Sequence, residues 1–404
     1  MNQSEAVYGI SGSFDPFTLG HQWLVEQGRK MGRVVILVGV NASKKGVTNM
    51  AVRIGNIYQV MEELGWTDVV VEGVPYGYVA KEARQYGVTH LLRGIRNVAD
   101  YGYELDLHRL NTELVEGVPS VFLIPPKDLD LVSSSLIRSL VGSGLGWHHK
   151  VKQHVPPSVY VTIRESYLRE KWHAVWEQLN EGHPFAPHGL HRTFDRIKSA
   201  YGDPARAYHN LDHLVHALTE LDAWYALTGL VVTEREMATL RAAMFMHDFV
   251  YQSGQQISDE AASALIWENE IYPAMQGTDQ GLMNQVSRLI QGTEHVGQPI
   301  VHSRLTPLYM EVLIGADLSI LGKSPSDYLQ YTQAIRQEYA MYDEDAFTRG
   351  RLKVVSFLLD KAKKGMLFKD EYFAKQYSKQ AVTNLAKEEN HLNLLIGGFL
   401  CGSV

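Results

Sequence analysis

Five short β-rich runs, AVYGIS (6–11), VVILVGV (34–40), DVVVEGV (68–74), THLLRG (89–94) and SVFLIP (120–125), crowd into the first part of the chain. Each gap between successive runs holds an amphipathic stretch. That is the pattern of βαβ units, whose crossover helices impose a parallel sheet. Such a sheet collects its loops, and with them its ligands, beyond the carboxyl ends of the strands. From residue 165 the β signal fades. Apolar-periodic segments follow at 165–180, 208–228, 234–250, 259–272, 280–292, 307–315, 325–341, 346–363 and 379–396, and predict an all-helical half. The string NEGHPFAPHG (180–189) reads as a helix break inside that half. A chain of 404 residues exceeds one ordinary core, so the change of texture, near Tyr160 to Glu170, predicts a domain boundary. The expected division is an α/β parallel-sheet domain over 1–163 and an all-α domain over 164–404.

Charge and composition narrow the partners. A net charge of -7 argues against nucleic acid, because neutralising phosphates needs a concentrated basic surface. The single cysteine, Cys401, rules out an internal disulfide and suits a reducing compartment. The opening MNQSEAVYGI has neither a basic flank nor a long apolar core, and VVILVGV falls far short of the roughly 20 residues of a membrane helix. A cytoplasmic protein acting on small molecules, with neither nucleic acid nor membrane as partner, is the expectation.

GSFDPFTLGH (12–21) follows the first β run and opens the helical pattern HQWLVEQGRKMG. Glycine lets backbone approach a ligand closely, and a helix N-terminus offers N–H groups and a positive dipole end to phosphate. Thr18 and His21 lie three apart, on one side of the first turn, where the imidazole can donate to a phosphoryl oxygen. Asn41, Lys44 and Lys45 end the second run, RGIR (93–96) ends the fourth, and VSSSLIR (132–138) follows the fifth and opens a helix. Alone, Lys44 and Lys45 read as a solvated loop pair and Ser133 to Ser135 as a helix cap. Together they put cations, hydroxyls and a helix N-terminus around one crevice, which is the apparatus for binding polyphosphate.

The strings GSFDPFTLGH, NASKK, LLRGIRNVADYGYELDLHRLN and LVSSSLIRSLV, in this order and at compatible spacings, resemble the signatures of the phosphopantetheine adenylyltransferases. These are Rossmann-like members of the TxGH-bearing nucleotidyltransferase superfamily. The resemblance implies adenylyl transfer: an acceptor phosphate, that of 4′-phosphopantetheine, attacks the α-phosphorus of magnesium-bound ATP and pyrophosphate leaves. By position it implies that His21 stabilises the five-coordinate transition state and Thr18 shapes the turn. Lys44 would steady the acceptor phosphate and transferring phosphoryl, and Arg93 would grip the phosphates. Ser13, Phe14, Arg96, Tyr103 and Glu104 would border the nucleotide, and Ser133, Ser134 and Ser135 would hold the β- and γ-phosphates. Such a site works by positioning and charge stabilisation. The resemblance also implies homo-oligomerisation through this domain. Two departures stand out. Ser13 replaces the family's usual Thr, and VPYGYVAKEA (74–83) is bulkier and more polar than the segment that lines the pantetheine arm. The acceptor therefore stays open between phosphopantetheine, a pyridine mononucleotide and a sugar or alcohol phosphate.

In the helical half, AYHNLDHLVHAL (207–218) sets His209 and His213 at i and i+4, on one face of a helix. MFMHDFVY (244–251) places His247 beside Asp248 in apolar surroundings, and GADLSILG (315–322) offers Asp317. A buried His-Asp pair is costly unless something binds it, and imidazoles with carboxylates suit a divalent cation. The YHN-x-x-H, F-x-HD and ADLSILG strings resemble the HD superfamily of metal-dependent phosphohydrolases, as do YGDPARAYHN (201–210), DEAASA (259–264), TEH (293–295), IRQEY (335–339) and GR (350–351). That resemblance implies metal ligation by His213, His247, Asp248 and Asp317, with His209 protonating the leaving group of a phosphorylated, nucleotide-like substrate. It offers Glu260 and His295 as supports, and Arg206, Arg336 and Arg351 as phosphate ligands. Manganese, iron, cobalt, nickel, magnesium and zinc all suit the set. The expectation is a bifunctional enzyme; the other reading makes one half a nucleotide sensor for the other.

Overall fold

Each β-rich run forms a strand: β1 (Val7–Gly12), β2 (Arg33–Gly39), β3 (Val69–Val74), β4 (His90–Gly94) and β5 (Ser120–Leu123). The computed structural model describes residues 6–40, 48–76, 78–114, 117–180, 187–230, 232–252, 254, 256–275, 279–294 and 306–401. The strands pair in the order β3-β2-β1-β4-β5, all parallel, as the crossover pattern predicts. β2 is buried from Val34 to Gly39, which explains its unbroken apolar run. The order turns back between β1 and β4, and a crevice opens there at their carboxyl ends.

Helices α1 (Leu19–Met31), α2 (Met50–Leu64), α3 (Val79–Glu82), α4 (Val98–Arg109), α5 (Ser134–Leu140) and α6 (Trp147–Lys152) belong to the same region. α1 starts at Thr18, whose side chain accepts from the His21 N–H, and it buries Leu24, Val25 and Gly28. Gly28 is required there: a Cβ would come within 2.9 Å of Val34 on β2.

The chain divides into two compact units, Met1–Arg164 and Glu165–Val404. The division falls inside one continuous helix, α7 (Pro157–Leu179). The second unit holds no strand among its described residues. Its helices are α8 (Pro187–Tyr201), α9 (Leu211–Thr228), α10 (Glu234–Met246), α11 (Asp259–Ile266), α12 (Tyr272–Ala274), α13 (Gln280–Gln291), α14 (Thr306–Leu318), α15 (Pro325–Glu338), α16 (Glu344–Lys363) and α17 (Glu371–Cys401). Fully buried Trp172, Trp176, Trp224 and Trp267 fill its core. α8 corrects the sequence reading, which has only a helix break near its start. Leu190, Phe194, Ile197 and Tyr201 form a buried stripe at helical spacing, and Pro187 opens the helix at a position that needs no N–H. Among the described residues no helix is long and apolar enough to cross a membrane.

Candidate functional site

Two cavities share walls in the crevice beside β1 and β4. One, of about 280 Å³, is lined by Ser13, Thr18, Gly20, His21, Arg93, Arg96, Glu104 and Ser133 to Ser135. The other, of about 550 Å³, shares Ser13, Arg93 and Glu104 and adds Tyr78, Val79, Tyr103, Leu107 and Asn111. Tyr103 therefore lies on the second cavity with Tyr78, away from Thr18 and His21.

The turn into α1 fixes the imidazole. The Thr18 N–H donates to His21 Nδ1 at 3.0 Å, and the His21 N–H donates to Thr18 Oγ1 at 3.4 Å. With Nδ1 an acceptor, the proton of the neutral ring is on Nε2. Phe14 lines neither cavity. It is 1% exposed, and its ring meets that of His21 edge-on with centroids 5.0 Å apart, so its influence on the site passes through His21. Two first-turn amides of α1 also differ in their partners. Leu19 donates to the His154 carbonyl at 3.0 Å and His21 to Thr18. Gly20, between them in the first turn, lines the smaller cavity.

Arg93 and Glu104 are joined by two hydrogen bonds of 2.7 and 2.5 Å, and Arg93 Nη1 donates to the Ser11 carbonyl at 2.7 Å. The guanidinium on the wall between the cavities is thus braced, with most of its donors already engaged. Arg96 is paired with Asp100 at 2.6 Å. Ser133 caps α5 by accepting from the Leu136 N–H at 3.1 Å. Ser134 donates to the Pro16 carbonyl at 2.8 Å and Ser135 accepts from Arg138 at 3.1 Å. Ser134 thus ties α5 to the turn before α1, while the hydroxyls of Ser133 and Ser135 bond within α5. Asn41, Lys44 and Lys45 lie outside the described residues.

Sequence reasoning missed Arg53. It is 2% exposed, and it donates to the carbonyls of Ser13 at 2.6 Å, Gly39 at 3.0 Å and Thr48 at 2.9 Å. Burial lowers its pKa, opposed by the nearby Asp15 carboxylate. On an amphipathic helix such an arginine looks like any solvated one; the flanking loops bury it.

The helical unit gathers its own cluster. His213, His247 and Asp248 hold ligand atoms within 4.8 Å of one another. Asp317 Oδ1 lies 3.3 Å from His213 Nε2 and 3.5 Å from His247 Nε2. His247 Nε2 is 3.0 Å from Asp248 Oδ2, and the two imidazole Nε2 atoms stand 3.2 Å apart. His247 Nδ1 faces the Met244 carbonyl at 2.8 Å, which turns its Nε2 inward, while buried His213 Nδ1 has no partner. Burial presses the His247 pKa down, yet Asp248 and Asp317 hold it well above its ordinary value. Burial likewise opposes ionisation of Asp248, and His247 overcomes it, keeping that carboxyl below the usual range. A single proton can satisfy only one pair in this cluster, whereas a divalent cation can be held by His213, His247 and Asp248 together, so these three residues fit one, with Asp317 beside the two imidazoles.

His209 lies beside the cluster. Its Nδ1 is 2.8 Å from Glu338 Oε2, and Glu338 also accepts from the N–H groups of Tyr208 and His209 and from Tyr251 Oη. Glu338 is 4% exposed; burial raises its pKa, but the His209 side chain and the N–H groups of His209 and Tyr208 bring it below the ordinary value. Sequence reasoning included Glu338 only as part of IRQEY. A cavity of about 590 Å³ opens here, lined by His209, His247, Asp248, Asp317 and Glu260 among others. The three expected phosphate-binding arginines are all committed. Arg206 holds the carbonyls of Asp248 and Phe249 at 2.6 and 3.0 Å, and Arg336 pairs with Glu344 at 3.1 Å off the cavity wall. Arg351 does line the cavity but is paired with Glu388 at 2.8 Å. His295 lies outside the described residues.

A family model described as cytidylyltransferase-like matches residues 10–140. A phosphopantetheine adenylyltransferase of Neisseria meningitidis serogroup C is 31% identical over 166 residues, 41% of this chain and 95% of that protein. Another, of Latilactobacillus sakei, is 34% identical over 163 residues, 40% of this chain and 95% of that protein. A solved nicotinic acid mononucleotide adenylyltransferase of Plasmodium falciparum, complexed with APC, overlays with a TM-score of 0.31 at 13% identity, covering 41% of this chain and 98% of that one.

Proposed function

Over its N-terminal 41% the chain belongs to the phosphopantetheine adenylyltransferase family, and on that premise we propose a two-headed enzyme, an adenylyltransferase joined to an HD-type metal-dependent phosphohydrolase. In the first half, an oxygen of the acceptor phosphate attacks the α-phosphorus of ATP, the bond to the β-phosphate breaks, and pyrophosphate leaves. Magnesium accompanies the ATP. His21 Nε2–H and Gly20 N–H are the donors for charge that grows on the transferring phosphoryl. The start of α5 receives the β- and γ-phosphates. Arg93, braced by Glu104, stands between nucleotide and acceptor, and Lys44 steadies the acceptor phosphate. The Thr18 N–H to His21 Nδ1 bond carries this reading, because it leaves the imidazole proton on the atom that must donate. The test is pyrophosphate release from ATP with 4′-phosphopantetheine as acceptor. No release with this or any other phosphate-bearing acceptor removes the claim.

One observation favours a second acceptor. Tyr78 and Tyr103 line the larger cavity and are 58% and 62% exposed, so they can stack on a ring that pantetheine lacks. Nicotinate mononucleotide belongs in the same assay, and the acceptor with the higher kcat/KM decides.

In the second half, His213, His247, Asp248 and Asp317 would hold a divalent metal, which when bound lowers the pKa of water and polarises a phosphoryl oxygen. His209, its Nδ1 held by Glu338, exchanges a proton with the leaving group through Nε2. The facing Nε2 atoms of His213 and His247 support the metal reading. Metal analysis of the purified chain, beside phosphate release by the chain and its His247→Ala variant, tests it. A metal-free chain that cannot be loaded ends this reading.

A further inference from the structure

We propose that the cavity of the helical unit takes a phosphomonoester of mononucleotide size, its single phosphate at the His213–Asp317 cluster and its flat ring at the Tyr342 end. This deepens the phosphohydrolase reading and rests on it.

The ring end comes from the corner between α15 and α16. Tyr339 stacks on Tyr342 with centroids 6.2 Å apart and lies 6.3 Å from Phe347, and all three line the cavity. Tyr342 is 52% exposed, so a ring face remains available beside a half-buried aromatic backing. A volume of about 590 Å³ accommodates a mononucleotide and falls inside the ordinary range of small-ligand pockets.

The phosphate count follows from charge. Asp259 and Glu260 line the cavity together with Asp248 and Asp317. Arg351 is the one Lys or Arg among the described lining residues, and Glu388 already takes its Nε and Nη2 at 2.8 and 3.2 Å. A divalent ion at the cluster offsets one phosphate. Each additional phosphate meets these carboxylates with no further Lys or Arg among the described lining residues to balance it. In the reaction, water adds to phosphorus and the ester P–O bond breaks. His209 gives its proton to the departing alcohol oxygen and regains one from the water, so the products are alcohol and inorganic phosphate.

The test uses the full chain loaded with manganese. Uridine nucleotides keep the adenylyl half out of the readout. Phosphate release is measured from uridine 5′-monophosphate, uridine triphosphate and glycerol 1-phosphate, and calorimetry measures binding of both nucleotides to the His209→Gln chain. The expected result is about a tenfold preference in kcat/KM for the monophosphate over each of the others, and a similar margin in binding over the triphosphate. Tyr342→Ala should cut the preference over glycerol 1-phosphate about fivefold or more. Phosphate release that favours the triphosphate, ignores the ring, or keeps its preference without Tyr342 overturns the ligand class. No release from any of the three, with the monophosphate still bound ahead of the triphosphate, instead sinks the phosphohydrolase reading and keeps the ligand class. Equal or absent binding of the two nucleotides sinks the ligand class whatever the turnover.

Discussion

Thr18 and His21 cap each other: the threonine N–H donates to imidazole Nδ1 at 3.0 Å, while the histidine N–H donates back to Thr18 Oγ1 at 3.4 Å. The usual partner in such a box is a Glu or Gln at the third helical position. Putting a histidine there uses a helix-start device to set a tautomer. The residue that ends the Thr-x-x-His spacing is therefore structural, and in the proposed mechanism it is reactive as well.

His21→Ala separates those roles. The helix keeps its Thr18 cap, so the fold survives, while the transition state loses a donor. Turnover should fall about 100- to 1,000-fold, in line with removal of one oxyanion-type donor. ATP affinity by calorimetry should change by no more than about threefold, because such a donor contributes little to ground-state binding. Turnover that survives the substitution would reject the role given to His21.

Arg53 holds three carbonyls that belong to the end of β1, the end of β2 and the approach to α2. An ammonium cannot reproduce that fork. Arg53→Lys should lower stability by about 3 kcal/mol, the scale of breaking a buried charged contact, and should reduce turnover more than it weakens ATP binding. Urea unfolding followed by tryptophan fluorescence, together with steady-state kinetics, measures both. An unchanged midpoint would show that the three bonds contribute nothing net.

Legibility differs from place to place for physical reasons. The parallel sheet is readable because β-rich runs separated by amphipathic stretches admit few other arrangements, and VVILVGV announces a strand buried on both faces. The His213–Asp317 cluster is readable because ionisable residues inside apolar helices are conspicuous. Arg53, Glu338 and Arg351 are not. A charged residue on an amphipathic helix carries no mark of whether loops will cover it. The partners of Arg206 and Arg336 are hidden for the same reason: nothing in their spacing reveals the carbonyls and carboxylates that claim them. α8 is hidden differently, by the Pro and Gly residues that open it.

A cation at the quartet should also show in thermal stability. A ligand that binds only the folded state stabilises it by about 2.7 kcal/mol at a hundredfold excess over Kd. Manganese added to the chelator-treated chain should therefore raise the melting transition of the helical unit in a calorimetric scan, and Asp248→Asn should remove most of that shift. Superimposable scans with and without manganese would argue against a metal site.

Glu338 offers a pH test with a definite sign. Burial pushes its pKa up, but the His209 contact and the N–H donors of Tyr208 and His209 outweigh this and hold it below the ordinary value. A carboxyl whose pKa is depressed by folding stabilises the native state above its unfolded pKa. That contribution is lost as the pH falls through the lower, folded value. The stability difference between the parent chain and Glu338→Gln should therefore be constant near neutrality, about 1–3 kcal/mol in favour of the parent, since the amide still accepts but carries no charge. It should begin to shrink only below the unfolded glutamate pKa of about 4.3. Denaturant titrations from neutral pH down to acid, on both chains, read this effect. A difference that grows on acidification would mean that Glu338 is protonated more readily in the fold than out of it, contrary to the hydrogen bonds it accepts.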